Sequence, residues 1–397
     1  MAPGSGVTSH TPAQSRDVSR GALLVSTTVA FLAGFLFGYD NIVVSGAIGY
    51  MAVYYRLSTM AVGWAAACAL LGCLFGSAVS GSLADKFGLK KALYGCAACF
   101  ALSSLGVWAA SSFQQYIAFR ILGGIGIGAA SIVAPMYIAE ISPAAVRGRL
   151  VILYQLGIVL GILAAVSVNT IIQNAGTLAW NTEAGWRWMF AVAGIPAVFF
   201  ALAIAFSHES PRWLMKAGCV AEAKTVLSLI NGPQAGIAEG EAIRKSLGEE
   251  KGSWGELFSS AVRPALIVGF VLAAFSQTSG ITALLSFLPE IFKRTGQKSG
   301  EAFFQSILVG VVNLFFTLLA IVLVDRTGRK TLILTGTAMQ TTALAFAGTI
   351  YFTGGHGFAI LFGVMLFVSG HAIGNGAVCW VIISEIFPKL DFIHQAA

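Results

Sequence analysis

Charge is what this sequence lacks most. Only 10% of its 397 residues are Asp, Glu, Lys or Arg, against about 25% in a soluble domain. Water is therefore not the main solvent of the folded chain, and the mean hydropathy of +0.81 agrees. The usual catalytic patterns are missing too. The five histidines form no HExxH pair. There is no Ser/His/Asp set and no GxxxxGK[ST] loop to cradle phosphate. These absences argue against an enzyme, a metal centre and a nucleotide cofactor. The six cysteines suggest no disulfide framework. Five lie in apolar stretches, and the lone CxxC of Cys96 and Cys99 reads as two small buried thiols. No cleavage site follows a short apolar core, so the first apolar run reads as a retained anchor.

Long apolar runs are what the chain does have. Ten cover roughly 21–50, 59–82, 90–110, 114–138, 148–173, 186–206, 263–292, 302–324, 330–352 and 357–387. Each approaches the 20 residues or so that cross a bilayer as a helix, so the expected fold is an all-α membrane protein. Residues 1–20 read as a disordered cytosolic tail and 389–397 as a short polar one. Residues 207–262 form a polar insert, in which EAKTVLSLI and EGEAIRKSLGEE read as amphipathic helices.

Lys and Arg set the orientation. With the N-terminus in the cytoplasm, eighteen fall inside and five outside, with Arg120 within the membrane. That bias fixes the topology, and it accounts for the net charge of +7 without nucleic acid.

Two loop signatures recur. LADKFGLKK at 83–91 resembles LVDRTGRKT at 323–331, and AEISP at 139–143 resembles SEIFP at 384–388. The offsets are 240 and 245 residues, which argues for two parallel copies of one six-helix unit. An N-terminal bundle would span 21–206 and a C-terminal bundle 263–388, the latter with four helices of an expected six. The reading at this point is a truncated or partial product, with a natural ten-helix variant as the alternative.

Asp40 interrupts an apolar run, AGFLFGYDNIVVSGA at 33–47. A carboxylate mid-membrane costs about 2.5–3.5 kcal/mol and marks a functional hypothesis. By helix rise, Asp40 lies about 15 Å below the outer surface and Arg120 about 9 Å. The two can pair. A guanidinium favours the charged carboxylate and desolvation the neutral one, so motion that alters their distance would alter proton affinity. The alternative is a static structural pair. The glycines of GGIGIGA at 123–129 lie inside a span and read as close helix packing rather than a dinucleotide loop.

PMYIAEISPAAVRGRL at 135–150, HESPRWL at 208–214, DRTGRKTL at 325–332 and WVIISEIFP at 380–388 resemble, in that order, the motifs of the sugar porter family of the major facilitator superfamily. The family's last two helices and closing PETKG-like segment are absent. The resemblance implies two helix bundles around a sugar site, alternating access and, given the acid at Asp40, proton symport. Facilitators commonly carry a neutral residue there. It implies a sugar contacted by Phe37, Gln155, Gln277, Thr282, Asn313 and Trp380. These residues offer donors, acceptors and an aromatic wall. For any one amide the alternative is a helix–helix hydrogen bond. It also implies a cytosolic gate of Asp85, Lys90, Glu140, Arg147, Arg149, Glu209, Arg212, Asp325, Arg329 and Glu385, in which Glu140 and Glu385 pair with loop cations. The alternative is simple anchoring of helix ends.

This chain departs from the family in places. Leu89 stands where an arginine is usual. QQxSGIN reads Ser276-Gln277-Thr278-Ser279-Gly280-Ile281-Thr282, the paired tyrosines are Ser286 and Phe287, and GAVCW replaces the proline pair before Trp380. The expected partners are sugar, protons and the lipid bilayer, in a monomer of the plasma or bacterial inner membrane. A facilitative uniporter, a non-transporting sugar sensor and an inactive fragment stay open.

Overall fold

The structure is a computed structural model that describes residues 20–142, 147–249, 262–353, 358–376, 378–379 and 382. Six long helices form the first lobe: α1 (Arg20–Tyr54), α2 (Thr59–Phe87), α3 (Leu89–Ala109), α4 (Phe113–Ile141), α5 (Arg147–Ala175) and α6 (Leu178–Phe206). The insert folds as α7 (Pro211–Lys216), α8 (Val220–Asn231) and α9 (Pro233–Glu249). The second lobe holds α10 (Arg263–Ser286), α11 (Leu288–Arg294), α12 (Ser299–Thr327), α13 (Arg329–Phe352) and α14 (Phe358–Gly376). Among the described residues, nine helices are long and apolar enough to cross a membrane.

Glycine brings the first-lobe helices together. Gly34 and Gly38 of α1 face backbone carbonyls of Tyr154 and Ile158 on α5, and Gly157 and Gly161 of α5 return the contact at Phe31 and Phe35. Gly72 and Gly76 of α2 meet α4 in the same way, at Ile121 and Ile125. Gly124 and Gly128, from the GGIGIGA stretch, face Ala69 and Cys73 of α2. Any Cβ there would collide with backbone. Within lipid, such close approach supplies packing that the hydrophobic effect cannot.

The internal repeat has a backbone signature. Gly88 joins α2 to α3 at φ 101° and ψ 154°, and Gly328, 240 residues later, joins α12 to α13 at φ 84° and ψ 151°. Both need the positive φ that glycine adopts without strain.

The sequence reading is corrected in one place. The seventh run is not one helix. It breaks at Gly280, which is left-handed at φ 86°, and again before Pro289 at the start of α11. α14 ends in a π-turn over Ala372–Gly376. α13 is less apolar than its neighbours, because threonines interrupt it. Thr335, Thr341, Thr342 and Thr349 each donate to the carbonyl four residues back, so their hydroxyls are satisfied within the helix. At about 36 Å by helix rise, α13 still has the length to span a bilayer.

The lobes meet near the Tyr50 end of α1. Tyr50, Met51 and Val44 pack with Leu288, Phe292 and Phe303 in one buried apolar cluster. The Thr170 hydroxyl on α5 donates to the Phe303 carbonyl at 3.4 Å.

Candidate functional site

Asp40 on α1 and Arg120 on α4 form a buried ion pair, 6% and 1% exposed. One guanidinium nitrogen, Nη1, donates to both carboxylate oxygens at 2.9 and 2.8 Å, and Nη2 donates to the Asp40 backbone carbonyl at 3.1 Å. Gly123 lies beside the pair, and a Cβ there would collide with Ser103 and touch the Asp40 carboxylate. The Phe190 ring of α6 covers the guanidinium at 5.3 Å. Ser104 and Tyr39 donate to the carbonyls of Phe190 and Met189 and so hold that part of α6 in place.

The geometry bears on the static alternative. A buried pair stabilises a fold only when it is well formed and its remaining polar atoms are satisfied. Here the contact is not the two-nitrogen fork that Arg and carboxylate form at their strongest. The Arg120 Nε–H also finds no acceptor among the described residues. As a structural staple the pair is therefore incomplete.

The amides of the expected sugar site lie on both lobes. Gln155 is half-buried on α5, and Asn313 is buried on α12. Gly310, one turn from Asn313, packs α12 against Leu163 and Val166 of α5. Gln277 is exposed and Thr282 half-buried, on either side of the Gly280 break. A helix interrupted in the membrane is where transporters commonly place a substrate. None of the side chains of Gln155, Gln277, Thr282 and Asn313 makes a hydrogen bond among the described residues, whereas Gln340 and Asn375 bond to one another. Helix–helix bonding therefore does not account for the first set. Phe37 is half-buried against the apolar core of the first lobe, and Trp380 lies outside the described residues.

The charged set at the other end is arranged differently from the sequence expectation. Lys90 does not pair with Glu140. Its ammonium donates to the Ser207 and Ala205 carbonyls at 2.6 and 3.2 Å, where the C-terminal end of α6 attracts a cation. Its backbone N–H donates to Glu209 at 3.0 Å. Glu140 accepts from the Ser210 hydroxyl. Asp85 pairs with Lys216 of α7 at 3.2 Å. A cavity of about 350 Å³ lies among Asp85, Glu140, Arg212 and Trp213. Arg329 opens α13. Glu385 and the side chains of Arg147, Arg149 and Asp325 lie outside the described residues. The contacts of Lys90, Glu140 and Asp85 thus tie the first lobe to the insert.

Three further residues contribute. Ser210 precedes Pro211, the ordinary signature of a helix start, and its hydroxyl caps Trp213 N–H. That signal was legible in HESPRWL. Lys216 and Phe190 carry no sequence signal, because their partners are 131 and 70 residues away.

Among the described residues, no cluster of His, Cys, Asp or Glu could hold a metal ion. Known proteins match this arrangement along nearly the whole chain. A family model described as "Sugar (and other) transporter" matches residues 26–391. The arabinose-proton symporter of Bacillus subtilis is 39% identical over 94% of this chain and 81% of its own length. The D-xylose-proton symporter of Escherichia coli is 36% identical over 91% and 79%. Among solved structures, a partially occluded inward-open form of the E. coli xylose transporter XylE superposes with a TM-score of 0.84. That match is at 32% identity over 92% of this chain and 87% of the other. XylE bound to 6-bromo-6-deoxy-D-glucose gives a TM-score of 0.82 at 35% identity over 93% and 83%. The fold is therefore that of the major facilitator superfamily, and the chain belongs to the sugar transporter family.

Proposed function

We propose that this protein is a proton-coupled symporter of a monosaccharide or a similar polyhydroxylated small molecule, working by alternating access. The buried, incompletely bonded Asp40–Arg120 pair carries the reading. Asp40 takes up the proton when Arg120 is drawn away, and releases it when the pair re-forms. Gln155, Gln277, Thr282 and Asn313 hold the sugar hydroxyls, with Phe37 and Trp380 as apolar walls. Supporting this, these four polar side chains make no hydrogen bond among the described residues, and the named relatives are symporters of arabinose and xylose.

The charged residues around Asp85 and Glu140 form the inner gate, re-pairing between lobes when that side closes. The excess of Lys and Arg in the same loops supports a cytosolic N-terminus. The 240-residue offset supports reading α10 to α14 as the counterpart of α1 to α4. We take the protein to work as a monomer in a plasma or bacterial inner membrane.

The test is uptake into proteoliposomes from a panel of pentoses, hexoses and polyols, with and without an inward proton gradient. Gradient-dependent accumulation of one of them is expected. Uptake of every sugar at a rate indifferent to the gradient would reject coupling.

A further inference from the structure

On the surface of the first lobe, α2, α3 and α4 enclose a groove of about 430 Å³. Leu83, Phe87, Gly95, Cys99 and Ile125 line it, with Lys91 at one end. From Lys91 to Cys99 it runs about 12 Å along the helix. The space beside Gly95 is open, since a Cβ there would meet no heavy atom within 4 Å.

The charges at its mouth are available. Lys90 is engaged with the end of α6, but Lys91 is exposed and makes no ion pair among the described residues. Lys86 Nζ sits 5.2 Å over the ring of Phe87, itself a wall of the groove. The nearby Asp85 is paired with Lys216. We propose that this groove binds one anionic phospholipid, with an acyl chain along Leu83, Gly95 and Ile125 and the phosphate on Lys91 and Lys86.

An acyl chain gains little on leaving hydrocarbon for an apolar groove, so the selectivity comes from the headgroup. Lys91 and Lys86, which make no ion pair among the described residues, lie at one end, with thiol and aliphatic side chains at the other, and so match a molecule charged at one end only. A second copy of the chain fits less well. Two-fold pairing through this groove would bring both sets of lysines to the same membrane level. A seated lipid would brace the α2–α3 joint at Gly88.

The test is lipid retention by the purified full chain, counted by native mass spectrometry after exchange into nanodiscs of phosphatidylglycerol or phosphatidylcholine. One phosphatidylglycerol per chain should be retained and phosphatidylcholine lost. Lys91→Gln should weaken retention about five-fold, the pull of one lysine on an anionic lipid. Gly95→Leu should abolish it by filling the groove, while sugar uptake persists in both variants. Three outcomes would overturn the proposal: equal retention of the two lipids, retention unaffected by Gly95→Leu, or a dimer that Gly95→Leu disrupts.

Discussion

At the Tyr50 end, the two lobes meet through Phe292 and Phe303, with Lys293 5.4 Å from the rings of both Tyr50 and Phe303 and paired to Glu290. At the Asp85 end, the described polar contacts run within the first lobe and its insert, through Lys90, Glu140, Glu209 and Ser210. One end is closed by apolar surface. The other is lined by charged and polar side chains. Apolar contact is non-directional and seals a passage, whereas charged pairs can be exchanged one for another. The difference suits a bundle that opens by breaking packing on one side and ion pairs on the other.

The perturbation with the largest expected effect strikes between the two ends. Arg120→Ala leaves Asp40 buried without a partner, at a cost of about 3–5 kcal/mol. Detergent-solubilised protein should melt well below wild type, and Asp40→Asn in the same chain should recover much of the loss. Next comes the sealed end. Phe292→Ala removes a fully buried ring from the inter-lobe cluster, weakening closure by about 3 kcal/mol. Labelling of Thr170→Cys by an impermeant thiol reagent from outside, in a Cys219→Ser background, should become markedly faster. An unchanged rate would mean that the apolar contact is not the seal.

Midway, Asn313→Ala should raise KM for sugar about tenfold with melting unchanged, as expected for one lost hydrogen bond to a ligand. The smallest effect belongs to the charged end. Lys216→Ala breaks a pair whose side chains are 50% and 66% exposed, worth less than about 1 kcal/mol. A large loss of stability there would contradict the contrast between the ends.

Some of this was legible in the sequence. Asp40 and Arg120 were matched by depth, since helix rise is constant and both helices start at known flanks. The repeat was legible in its loops, and the paired glycines 88 and 328 give it a conformational basis. The polar insert showed its amphipathic helices directly. The partners of Lys90 and Glu140 were not legible. Both are decided by how α6 and the start of α7 pack against α3 and α4, and a motif does not specify that. The Gly280 break was hidden because a lone glycine within an apolar run reads equally as packing or as a bend.

The most direct measurement compares Asp40→Asn with wild type in one proteoliposome preparation, following sugar accumulation against a gradient and sugar counterflow together. Accumulation should vanish in the variant while counterflow continues, because the alternating lobes remain but the proton has no seat. Undiminished uphill accumulation by Asp40→Asn would contradict the account.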